Sequence, residues 1–173
     1  MPIDETKVRE LMGQLEADWI ERTRSPDKKD KLAEAICAFA NDFPNHGHPG
    51  YVLIGVDDRT GLAVGKHLGD DVLQGLGGLR SDGNIQPLPA ITVSRISLSD
   101  GSGDVAIIEV HPSDMPPVRY KGRVWIRVGP RRAVANEQEE RMLTERRVAQ
   151  ARTFDMRPCP EAAFDDLAPE LFQ

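Results

Sequence analysis

The sequence predicts an α+β domain built on a single mixed or antiparallel sheet flanked by helices. Three stretches carry that prediction. Leu32, Ile36, Phe39 and Ala40, with Ala35 and Cys37 nearby, form an apolar stripe at helical spacing that ends near Asn41. Tyr51–Val56 (YVLIGV) is a continuous apolar run between turn residues, the pattern of a strand buried on both faces. Ile91–Leu98 and Asp104–Val110 flank the turn Ser-Asp-Gly-Ser-Gly and read as a β-hairpin.

The remaining elements follow in order. Ile3, Val8, Leu11, Met12 and Leu15 recur at roughly helical spacing, and Asp4 precedes most of them as a capping residue. Ala17–Arg24 (ADWIERTR) reads as a short strand. Ser25-Pro26-Asp27 then offers a cap with proline at the first position of the next helix. That helix stops hard, and Asn41-Asp42-Phe43-Pro44 opens a loop rich in His, Gly and Pro before the buried strand. Asp57-Asp58-Arg59-Thr60-Gly61 forms a turn. A helix is expected near Asp70–Arg80, although Gly75, Gly77 and Gly78 each weaken it by about 1 kcal/mol relative to Ala. His111–Pro117 is a Pro-rich loop, Arg123–Gly129 (RVWIRVG) a further strand, and Asn136-Glu-Gln-Glu opens a helix to about Gln150. The domain is expected over residues 1–150. Residues 151–173 read as a linker or docking tail, or as the start of a longer protein cut at Leu171-Phe172.

Composition narrows the class. The chain has 173 residues, 39% hydrophobic and 29% charged, enough for one domain with a genuine core. No apolar run approaches the ~18 residues a membrane span needs, so no membrane partner is expected. The N-terminus lacks an apolar leader, and Cys37 and Cys159 read as free thiols; both point to the cytoplasm. Net charge is −6, which taken alone argues against nucleic acid, but the charge is unevenly placed. Arg119, Lys121, Arg123, Arg127, Arg131 and Arg132 fall within residues 116–132 with no acid among them. Residues 22–31 hold five basic residues against Asp27 and Asp30, whereas residues 133–173 hold nine acids against five.

In RVWIRV, strand alternation puts Arg123, Trp125 and Arg127 on one face and Val124, Ile126 and Val128 on the other. An aromatic between two guanidiniums suits phosphate pairing with stacking on an exposed base. Arg131 and Arg132 extend that stripe, and Arg22, Arg24, Lys28 and Lys29 add to it. The competing reading makes Trp125 a core residue and the arginines a solvated sheet face. His46-x-His48 in a loop reads as polar surface before it reads as a transition-metal site. Gly75–Leu79 (GLGGL) lacks the lysine of a phosphate loop, and no Ser/His/Asp or Cys/His nucleophile stands out. Cys37 lies on an apolar helix face, where burial raises a thiol pKa.

Glu16-x4-Glu21, then Arg24-Ser25, AICAFAN (Ala35–Asn41), YVLIGVDD-x-x-G (Tyr51–Gly61), a Pro-rich loop and VWIRVG together resemble the Schlafen AlbA_2 domain, over about residues 10–145. RTFDMRP at 152–158 resembles the linker that follows this domain in longer bacterial regulators. Two departures stand out: the family's Glu-Phe-Lys is here Glu21-Arg22-Thr23, and its short Gly-Gly link is here Asp42–Gly50 (DFPNHGHPG). The resemblance implies a DNA- or RNA-binding module of a bacterial-type transcriptional regulator. It also implies an alternative, an endoribonuclease acting on structured RNA such as tRNA, with Glu16, Glu21 and Asp58 as catalytic metal ligands and Asp57 as a neighbouring substitute. Mg²⁺ or Mn²⁺ would be its cofactor, since hard ions take carboxylate oxygens; no other cofactor is implied. Glu16 and Glu21 converge only if helix gives way to strand near Ala17-Asp18. The competing reading makes Asp57-Asp58 an Asx-type turn. A third possibility is a non-catalytic oligomerisation or effector-sensing domain, and family cores that pair two lobes imply a homodimer by analogy.

Overall fold

The computed structural model describes residues 3–14 and 17–150. In chain order the elements are α1 (Glu5–Gly13), β1 (Ile20–Thr23), α2 (Lys29–Asn41), β2 (Gly50–Ile54), α3 (Asp70–Gly78), β3 (Ile85–Gln86), β4 (Ile91–Ser97), β5 (Asp104–Val110), β6 (Arg119–Tyr120), β7 (Arg123–Val128), β8 (Arg131–Val134) and α4 (Glu137–Gln150). The α+β class holds, but the single sheet does not. The strands form two four-stranded sheets, ordered β1-β2-β5-β4 and β3-β6-β7-β8. β3 and β6 have two residues each and β8 four, too short for alternation to announce them.

In the first sheet β1 runs parallel to β2, pairing Ile20 with Tyr51, and β5 lies antiparallel between β2 and β4. The strand period of two sorts its side chains. Leu53 and Ile107 join Val8, Leu11, Met12 and Ile20 in a core under α1. Val52, Ile54, Ala106 and Ile108 join Ile36, Phe39 and Ala40 of α2 on the other face. Both faces are covered, which is why YVLIGV is apolar throughout. In α1, Asp4 caps as expected, accepting from the Lys7 amide at 2.8 Å.

Helix α2 is the centre of the molecule. Nine of its thirteen residues are buried, because one side meets the first sheet and the other meets Val118, just before β6, and Tyr120 and Trp125 of the second. It begins at Lys29, later than the Ser25-Pro26-Asp27 cap predicts, and no side chain caps it. Its last residue, Asn41, is buried and bridges the layers. The Asn41 amide donates to the carbonyls of Val118 (2.9 Å) and Trp125 (2.7 Å), and its oxygen accepts from the Val118 amide at 2.6 Å. Asp42 then adopts the left-handed conformation, and its carboxylate accepts from the His46 and Gly47 amides, ordering the loop. Arg146 of α4 closes the same helix end by donating to the carbonyls of Asp42 (2.7 Å) and Phe43 (3.0 Å), a cation at the negative pole of the dipole. Leu143 of α4 packs with Val124 and Ile126 on the outer face of the second sheet.

A cationic cleft at the edge of the first sheet

Strand β1 is an edge strand, and a cleft of about 320 Å³ lies beside it. β1 and the segment after it supply Glu21, Arg22 and Arg24; the start of α2 supplies Lys28 and Lys31. Asp58, from the turn after β2, and Arg132, from β8, complete the wall. Five cationic side chains therefore face two carboxylates. Lys28 and Lys31 are both exposed and stand three apart, which puts them on one face of the helix start.

Arg127 behind this wall, and Arg132 and Arg24 within it, are held in ion pairs. Arg127 is 2% exposed. Its Nη1 donates to Glu21 Oε2 at 2.6 Å, and its Nη2 donates to the carbonyls of Pro130 (2.8 Å), Ala17 (3.2 Å) and Ile20 (3.3 Å). Its guanidinium lies 5.1 Å from the Phe39 ring centroid. Arg132 pairs with Glu34 at 3.4 Å and with Glu21 at 3.6 Å, and donates to the Lys31 carbonyl. Arg24 pairs with Asp57, whose other oxygen accepts from the amides of Thr60 (2.7 Å) and Arg59 (3.0 Å). The Thr60 amide, with Arg24 and the Thr60 hydroxyl, holds the Asp57 carboxyl well below the usual carboxylate range against an opposing cost of burial. Asp57 thus makes the Asx-type turn, and Asp58 beside it is exposed.

The expected stripe along β7 is not a free surface. α2 covers one face of this strand and α4 the other, so Trp125 is half-buried against the main core instead of standing open for stacking. Arg127 is buried and neutralised, a correction to its expected exposure, and Arg132 is ion-paired. These ion pairs are made to Glu21 and Glu34. Arg123 and Arg131 are exposed. Lys29 lines a separate groove with Asp71 and Leu76 of α3. Arg22 and Arg24, by contrast, do line the cleft.

Of the three carboxylates expected as metal ligands, Glu21 and Asp58 share the cleft, and Glu16 lies outside the described residues. Among the described residues no three His, Cys, Asp or Glu side chains gather as a metal-binding group. The described donor set does not by itself fit a divalent ion. His46 bonds Asp18 at 2.6 Å, which raises its pKa, and stacks on His48 in an exposed loop. Cys37 is fully buried and its thiol is pushed up to about 12, as its helix face predicts; Cys159 and the rest of the tail lie outside the described residues. No described helix is long and apolar enough to cross a membrane. The sequence reading missed Lys31 as a cleft residue, although its spacing from Lys28 was visible, and missed the bridging role of Asn41.

Two sheets clasping one buried helix, with cationic side chains lining a cleft on a sheet edge, define an α+β domain. The Schlafen, AlbA_2 family model matches residues 16–136, and the chain belongs to that family. No curated protein matches it. Among solved structures it is similar to the DIP2311 protein from Corynebacterium diphtheriae, with a TM-score of 0.51 and 22% identity over 88% of this chain. That likeness is one of fold, and this chain spans 31% of that protein's length.

Proposed function

We propose that this domain is a nucleic-acid-binding module, of the kind used in bacterial-type transcriptional regulators. One observation carries the reading: Arg22, Lys28 and Lys31 line a single cleft, with the ion-paired Arg24 and Arg132 beside them, in a protein of net charge −6. Family membership points the same way, toward a nucleic-acid-associated role. Exposed Arg123 and Arg131 offer further phosphate contacts. Contacts to the phosphate backbone hold a strand without reading its bases, so binding is weakly sequence-specific and falls steeply with salt. A mobility-shift titration of single-stranded and duplex DNA and RNA at increasing salt tests this. Affinity that is absent at low salt, or independent of salt, overturns it.

A second reading rests on the two carboxylates in the same cleft. In it the domain is a Mg²⁺- or Mn²⁺-dependent endoribonuclease, with Glu16 joining Glu21 and Asp58 as ligands. Glu21→Ala is a poor test, because it strips the partner from buried Arg127. Asp58→Asn is a better one, since Asp58 is exposed. Cleavage of tRNA that EDTA abolishes and Asp58→Asn greatly slows supports the reading; cleavage indifferent to Asp58→Asn overturns it.

A further inference from the structure

Arg22 stands apart from every other arginine in the cleft. It is 9% exposed, in the strand that also buries Ile20. Among the described residues its Nε and Nη2 atoms are buried and without a hydrogen-bond partner. Two nearby carboxylates are already engaged, Asp57 by Arg24, Arg59 and Thr60 and Glu21 by Arg127 and Arg132, while Asp58 lines the cleft as an exposed side chain. Gly61 of the turn after β2 neighbours it: a Cβ added there would stand at van der Waals distance, 3.7 Å, from Arg22 Nη1.

Nε and Nη2 form the edge of a guanidinium that donates two parallel bonds to two oxygens of one oxyanion. A buried cation left without a counter-charge is unfavourable, and an anion entering the cleft removes that penalty. We propose that Arg22 is the inner anchor of a phosphoryl-binding site, with two oxygens of one phosphoryl group on Nε and Nη2 and with Lys28 and Lys31 neutralising it from the mouth. The guanidinium must turn toward the cleft to receive the group. Nε and Nη2 give up no hydrogen bond to the described residues in doing so. The cleft volume of about 320 Å³ admits a single nucleotide unit and lies at the small end of ligand pockets.

The phosphoryl group can come from a polynucleotide backbone, which rests on the function proposed above, or from a mononucleotide or free phosphate. The full chain and its Arg22→Leu and Arg22→Lys variants are titrated with inorganic phosphate, a 5′-mononucleotide and a single-stranded oligonucleotide, following Tm and Kd. Phosphate should raise the Tm of the wild type and not that of Arg22→Leu, whose affinity for the bound probe should fall about tenfold or more. Arg22→Lys, which keeps the charge and loses the fork, should fall between them. Arg22→Leu retaining the wild-type response overturns the proposal. Should either variant fail to fold, the Arg22 Nε–Hε resonance of the wild type decides: movement on phosphate addition supports the site and an unmoved resonance overturns it. Oligonucleotide binding that is equal in wild type and Arg22→Leu sinks this site and leaves the nucleic-acid reading intact. An Arg22-dependent phosphate response with no oligonucleotide binding does the reverse.

Discussion

Arg127 Nη1 donates to Glu21 Oε2 at 2.6 Å across 106 residues of chain, tying the second sheet to the edge strand of the first. The same guanidinium fills three backbone carbonyls, so its charge is consumed by the fold. Arg127→Met should therefore cost about 2–3 kcal/mol, chiefly from the carbonyls left without their donor, since Glu21 is part-exposed and keeps Arg132. Guanidinium chloride unfolding measures it. A variant as stable as the wild type would show that Arg127 is not the link described, and any binding lost in Arg127→Glu should follow loss of folded protein.

Asn41→Ala removes three hydrogen bonds between α2 and the second sheet with its approach, and leaves the Val118 amide unpaired in the core. The expected loss is about 2–4 kcal/mol, read as a lowered denaturation midpoint. A change under about 0.5 kcal/mol, the range of ordinary surface substitutions, would contradict the bridging role.

Lys28→Glu with Lys31→Glu should leave stability within about 0.5 kcal/mol, because both side chains are exposed. Nucleic-acid affinity should fall for all sequences alike. The slope of log K against log salt should flatten by about one for each phosphate that is no longer neutralised. An unaltered slope removes this pair from the binding surface.

Asp57 is one of the carboxylates, with Glu5, Asp30, Asp100 and Asp104, whose lowered pKa gives the acid limb of the stability curve its direction. Its carboxyl is held below the ordinary range in the folded protein, so the unfolded chain binds its proton more readily. The stability it contributes is complete above the unfolded pKa of about 4 and is lost as pH falls through the lower folded value. Asp57→Asn should flatten the fall in Tm below about pH 4. An acid limb identical to the wild type would place the titrating group elsewhere.

Much of the fold was legible because its main elements carry strong periodicity. The stripe in α2, the apolar run in β2 and the β4–β5 hairpin each leave a pattern over five residues or more. β3, β6 and β8 leave none, and with them the second sheet stayed hidden. The cleft was legible only in its parts: Arg22, Arg24, Lys28 and Asp58 could each be named, while their convergence with Arg132 could not.

By itself the sequence determined the α+β class, the apolar stripe of α2, the family, and which side chains of RVWIRV share a face. Tertiary structure alone decided that α2 covers that face, that Arg127 spends its charge on Glu21, and that Arg22 sits buried beside the cleft. The division has a physical cause. Periodicity reports how neighbours along one element point, whereas burial and charge pairing depend on which distant element arrives opposite them.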